Sequence, residues 1–263
     1  MIIDIYCHVG KSLYDELRFG VQKLIEQMDS CSITLCFVSP FSPVGSSLYE
    51  ANMNLYRKTR RFKDRIRCVC RLDPKLPEQS SSLAFKLKKL GFKAIELDPF
   101  EQAFRLNDNF LTKFLESIVK LDMPLIIRSG LPSLSEPAMI SSLAGSFSKI
   151  KMIMTHGGQL AMHGLGIQDA VDALACNDNL YLETSGIPET GHENLVQRAV
   201  ELGLENRILF GSDTPVLDIE VELARVKAFA SNPDMLEKFM FRNASKLFKE
   251  RDKSIRNDAS MKR

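Results

Sequence analysis

Residues 2–12 read IIDIYCHVGKS. The run is apolar and rich in β-branched residues, and it ends in a histidine before a short turn. An open, doubly wound sheet usually carries a glycine-rich phosphate loop after such a first strand. Here Gly10-Lys11-Ser12 lacks the upstream glycine, and no GxGxxG follows. Runs of the same kind recur at 33–38, 66–72, 92–97, 124–128, 150–155, 180–184 and 207–211. Each reads as a buried parallel strand. Amphipathic stretches lie between them. In DNFLTKFLESIVK, residues 108–120, Phe110, Leu111, Phe114, Leu115 and Ile118 share one helical face. Stretches 194–202 and 220–229 have similar periodicity.

Eight strand-plus-helix units in 263 residues leave about 33 residues for each. The pattern predicts an α/β fold, a single closed (β/α)8 barrel over residues 1–250 with extra C-terminal helices. The polar stretch 251–263 (RDKSIRNDASMKR) is expected to be a disordered tail. The Pro/Ser-rich segment 39–47 (SPFSPVGSS) is expected to be a long loop on the face where barrels hold their sites.

Composition narrows the function. Hydrophobic residues make up 44% and charged residues 26%, a globular mixture. The net charge of +2 speaks against a nucleic-acid or membrane-surface binder. No apolar run approaches the roughly 18 residues of a membrane span. The N-terminus lacks the basic and apolar regions of a secretory signal, so a cytoplasmic protein is expected. Six cysteines, most of them in apolar runs, then read as reduced core residues.

The chemistry gathers at strand ends. Alternation along 4–8 puts Asp4, Tyr6 and His8 on one face and Cys7 on the other. Arg128 ends the fifth run, His156 the sixth, and Asp213 follows the eighth, while Glu96 and Asp98 close the fourth. A barrel brings such ends together, and polar groups at C-terminal strand ends read as catalytic. Imidazoles beside carboxylates suit a divalent metal, typically zinc, which would activate water. His156 is the candidate acid or base, and Asp213 could accept a proton. Arg128 suits a substrate carboxylate or phosphate. Glu183 is a candidate acceptor or ion-pair partner in the barrel mouth. His163 lies near enough to touch substrate, and His192 reads as a surface residue.

These segments resemble the amidohydrolase-related family, the TIM-barrel metal-dependent hydrolases that include aminocarboxymuconate-semialdehyde decarboxylase-like enzymes. IDIYCH (3–8) is similar to the family's opening I-D-x-H-x-H. PLIIRSG (124–130), THGG (155–158), NLYLETS (179–185), RILFGSDTP (207–215) and NASKLF (243–248) resemble its later strands and closing helix. The resemblance implies hydrolysis of a small amide, lactone or ester by metal-activated water, or non-oxidative decarboxylation of a small acid. It implies one divalent metal, zinc by family habit, on His8, Asp213 and a recruited His156, with Arg128, Tyr6 and His163 toward an acidic substrate. It also implies a homo-oligomer in many members. Tyr6 and Arg128 stand where the family has metal-binding histidines, so a metal-free member that binds a ligand or partner is the contrasting expectation. Metal-free catalysis by His156 and Asp213, with Arg128 as electrophile, is a third.

Overall fold

The computed structural model describes residues 1–12, 17–41, 47–159, 166–187 and 189–250. The central part of the loop at 39–47, His163 and the 251–263 tail lie outside these residues, as does the side chain of His192. Strands β1 (Ile3–Lys11), β3 (Leu35–Pro40), β4 (Ile66–Arg71) and β5 (Ala94–Leu97) run parallel, each beside the next. The sheet continues through β6 (Leu125–Ile127), β7 (Met152–Met154), β8 (Leu180–Glu183) and β9 (Ile208–Leu209). These are the eight expected strands. A ninth, β2 (Arg18–Phe19), was not read from sequence; it is two residues long and pairs antiparallel with the end of β1.

The sheet curls until its ends meet. Ile5 N donates to Phe210 O (3.1 Å), Asp213 N to Tyr6 O (2.8 Å) and His8 N to Thr214 O (2.8 Å). First and last strands therefore seal a (β/α)8 barrel.

Helices α1 (Val21–Ser30), α2 (Leu48–Thr59), α3 (Pro77–Lys89) and α4 (Asn109–Ile118) follow the early strands. Helices α5 (Pro137–Ser146), α6 (Ile167–Cys176), α7 (Glu189–Glu201) and α8 (Ile219–Phe229) follow the later ones. In α4 the expected face is buried through Leu111, Phe114, Leu115 and Ile118, while Phe110 is half-buried against Phe104. The predicted C-terminal helices are α9 (Pro233–Glu237) and α10 (Asn243–Phe248), joined by a wide turn at Lys238–Arg242. Among the described residues no helix is long and apolar enough to cross a membrane.

Two apolar layers result. One lies between sheet and helices. The other fills the barrel: Ile3, Ile5, Leu35, Phe37, Val69, Ile126, Ile153 and Leu209 meet Phe241, Ala244 and Phe248 from below. The C-terminal helices thus plug the bottom, with the Phe37 and Phe248 rings 4.0 Å apart. Polar staples hold loops on this floor. Asn179 Nδ2 donates to three carbonyls, those of Ala144, Phe147 and Ile150. Asn243 Nδ2 donates to Glu205 O and Ile208 O. With the floor packed, function is confined to the upper end.

Phe37 is fully buried and carries this packing. Phe37→Ala is expected to cost about 3–5 kcal/mol in urea unfolding, because the plug cannot collapse into the space left.

Candidate active site

The upper strand ends bring together Tyr6 and His8 (β1), Arg71 (β4), Glu96 with Asp98 (β5), Arg128 (after β6), His156 (after β7), Glu183 (β8) and Asp213 (after β9). All are buried except Arg128, whose side chain is 16% exposed. One element of the sequence reading is corrected. The β1–β3 register shifts between Asp4 and Cys7, a bulge that inserts one extra residue. Tyr6 and His8 face the barrel interior, but Asp4 falls on the outer face with Cys7. Its Oδ1 accepts from Tyr6 N and Ser212 N, both at 3.1 Å. Strict alternation fails there because the extra residue reverses the pleat.

His8 is held from both sides. Its Nε2 lies 3.1 Å from Glu96 Oε1, and its Nδ1 lies 3.1 Å from Asp213 Oδ1. Burial alone would push its pKa down, but the two carboxylates outweigh that and raise it to about 9. The imidazole is therefore a cation at neutral pH. The chain of charges continues through Arg71, which reaches Glu96 (3.1 Å), Glu101 (2.6 Å) and Asp98 (3.7 Å). Arg128 then pairs with Asp98 at 3.3 Å. Burial opposes the charge of Glu96, but Arg71 and His8 hold it far below the usual carboxylate range. Asp213 is likewise lowered against burial, by His8, His156 and Arg128. The Phe41 ring, at the start of the 39–47 loop, stacks on His8 at 5.1 Å.

His156 is in the opposite state. Its Nδ1 faces two acceptors, Ser185 O (3.3 Å) and Ser185 Oγ (3.1 Å), while the Ser185 hydroxyl donates to Glu183. That network places the ring proton on Nδ1. The buried Nε2 makes no hydrogen bond and lies 3.9 Å from Asp213 Oδ2. Burial, assisted by Arg128 and His8, pushes the His156 pKa down to about 4 despite Asp213. It is a neutral imidazole with a free lone pair. His156 (φ 54°) and Asp213 (φ 53°) both adopt the left-handed backbone region, which costs on the order of 1 kcal/mol each. Glu183 braces the first of them, accepting from His156 N at 3.1 Å. Its carboxyl fits only because residue 211 is glycine: a Cβ there would lie 2.3 Å from Glu183 Oε1.

This donor set departs in part from the divalent-metal site expected on His8, Asp213 and His156. The two carboxylates favour a proton on the His8 ring over a lone pair for a cation, although His8 Nδ1, His156 Nε2 and Asp213 Oδ1 are all buried without a hydrogen-bond partner. Arg128 brings a fixed positive charge to the fifth-strand position. Burial and the nearby carboxylates raise the Tyr6 pKa well above its ordinary value, so it stays a phenol. The three expected ligands also fail to bring their donor atoms within 4.8 Å of one another as a set. His156 Nε2 and Asp213 Oδ2 face each other at 3.9 Å.

The sequence pattern of the amidohydrolase family matches residues 46–249. The chain belongs to the amidohydrolase family. No curated protein sequence matches it. Among solved structures, it is similar to a dihydroxybenzoic acid decarboxylase from Polaromonas with bound manganese and 2-nitroresorcinol. That match has 19% identity and a TM-score of 0.74, and covers 97% of this chain and 98% of the other. It is also similar to a probable 2-pyrone-4,6-dicarboxylic acid hydrolase from Acinetobacter baumannii with citric acid bound. There the identity is 16% and the TM-score 0.73, over 94% and 99% of the two chains. A zinc-bound amidohydrolase from Burkholderia multivorans matches at 12% identity and a TM-score of 0.72, over 95% and 99%. The family's solved structures thus include hydrolases and decarboxylases, and some of them hold manganese or zinc.

Within this family member, Tyr6, His8, Arg128, His156 and Asp213 converge as the strand-end reading requires. Arg71 and Ser185 were not singled out. Arg71 carried a readable signal, a charge at the end of the third apolar run. Ser185 carried none, since a serine after a strand is common.

The His8 pKa has a consequence for stability. A proton held up to about pH 9 in the folded chain, against 6.5 as the ordinary value, stabilises fully below pH 6.5. That contribution disappears as pH rises through 9. The melting temperature should therefore fall between pH 7 and 9.5 in the natural chain, and the fall should be smaller in His8→Gln, where what remains comes from Glu183, which burial raises to about 8.

Proposed function

We propose that this amidohydrolase-family chain hydrolyses a small ester, lactone or amide that bears an acidic group, and that it does so without a metal ion in the barrel mouth. The observation that carries the reading is the unpartnered Nε2 of a neutral, buried His156 beside Asp213. Such a nitrogen can take a proton from water as the water attacks the substrate carbonyl. Asp213 then stabilises the imidazolium, which returns the proton to the leaving group. Asp213 itself is a poor base, because the positive charges around it hold its pKa below the usual carboxylate value. Arg128 supplies the substrate's acid with a guanidinium whose Nε has no partner. The citric acid in the Acinetobacter structure supports an acidic substrate class.

Decarboxylation needs a proton on Nε2 ready for delivery to carbon. The low pKa of His156 leaves that nitrogen bare at neutral pH, which favours hydrolysis. A site that only binds acids is the contrasting outcome.

The test is a screen of acidic lactones, esters and amides with protein purified without a metal-affinity tag. His156→Gln should lower kcat by about 10²–10⁴-fold while circular dichroism is unchanged. A chelator should leave turnover unaffected, and kcat/KM should fall below about pH 4, as His156 gains its proton. Activity that chelation removes and zinc restores would sink the metal-free mechanism. Arg128→Lys should mainly raise KM, about tenfold or more for the acidic substrate, with little effect on an uncharged analogue.

A further inference from the structure

The bulge in β1 does more than aim Tyr6 and His8 inward. In a regular strand, residues 4 and 7 point to opposite faces. Here the extra residue turns both outward. Asp4 pairs in register with Cys36 on β3, so a carboxylate and two thiols meet on the outer face of the sheet. Asp4 Oδ, Cys7 Sγ and Cys36 Sγ all lie within 4.8 Å of one another. Among the described residues no other three His, Cys, Asp or Glu side chains do so. All three are at most 1% exposed, and both cysteines are free thiols.

One oxygen of Asp4 has no partner. Oδ1 is taken by Tyr6 N and Ser212 N, but Oδ2, fully buried, makes no hydrogen bond. A buried carboxylate oxygen left bare is costly, and its neighbours are two sulfurs rather than a basic side chain. Ser212 Oγ lies 4.0 Å from Cys7 Sγ at the rim of the cluster and accepts from Thr214 N at 3.1 Å.

We propose that Asp4, Cys7 and Cys36 form a binding site for a thiophilic cation, with zinc as the fitting ion, separate from the barrel mouth. Two sulfurs and one carboxylate oxygen are ordinary zinc donors, and four-coordination suits a closed structural site. Binding exchanges the two thiol protons for the cation, so two protons are released to solvent. The ion would tie β1 to β3 directly beneath His8. Through the Asp4 bond to Ser212 N it would also fasten β1 to the segment that presents Asp213. Its role is structural: it locks the seam at the point where the bulge leaves the ladder irregular.

The experiment uses the full chain, reduced and purified without a metal-affinity tag, then incubated with zinc and desalted. Metal analysis is expected to find one zinc per chain, and zinc K-edge absorption is expected to show two sulfur scatterers at about 2.3 Å. Cys36→Ala should lose the metal and the sulfur signal, whereas His156→Gln should keep both. The absorption measurement on the natural chain needs no variant, so it decides even if Cys36→Ala does not fold. A chain that retains no zinc overturns the proposal, and so does zinc surrounded only by nitrogen and oxygen. Neither result depends on turnover, so the site stands or falls apart from the hydrolase reading.

Discussion

His8 sits between two buried carboxylates, with an oxygen 3.1 Å from each ring nitrogen. That contact joins β5 to the end of β9 across the barrel mouth, and the first strand lies between them. Without a proton on His8, Glu96 and Asp213 would face each other across a neutral ring. Arg71 and Arg128 extend the same alternation of charge toward Asp98 and Glu101. A buried network of this kind is favourable only when each charge is compensated. Here it fixes the side chains while leaving one base, His156, outside the alternation and uncharged. The division of labour between the two histidines follows from their neighbours. One has two carboxylates in contact; the other has a serine on one nitrogen and no hydrogen-bond partner at the other.

Most of the fold was legible because parallel strands buried on both faces must be apolar, and eight such runs stand out at regular spacing. The site was legible to the extent that a polar residue at the end of such a run has few reasons to be there. His8, Arg128, His156 and Asp213 satisfy that rule, and so does Arg71, which the same rule would have found. The bulge in β1 was not legible. Nothing in IDIYCH marks where the pleat reverses, and alternation placed Asp4 with Tyr6 rather than with Cys7. The charge states were also hidden. Whether a strand-end histidine is a ligand, a cation or a base depends on which partners it meets, and those come from residues far away in the chain.

The family relationship and the site carry different information. The fold is shared with solved structures that include a probable hydrolase, a manganese-bound decarboxylase and a zinc-bound amidohydrolase. Tyr6 and Arg128 change the chemistry at two positions without disturbing the barrel. The guanidinium after β6 brings a permanent positive charge to the mouth, and Asp98 is there to receive it.

The seam between first and last strands also bears on how the chain is made. The edge of β1 that pairs with residues 210–214 is covered by β2 only at Gly10 and Lys11. While the chain leaves the ribosome, β1 therefore waits with an open edge until some two hundred further residues have emerged. A buried, apolar strand with free amides is a template for wrong pairing. For this protein, the period between first and last strand is when chaperone protection matters most, and truncation before residue 214 leaves that edge exposed for good.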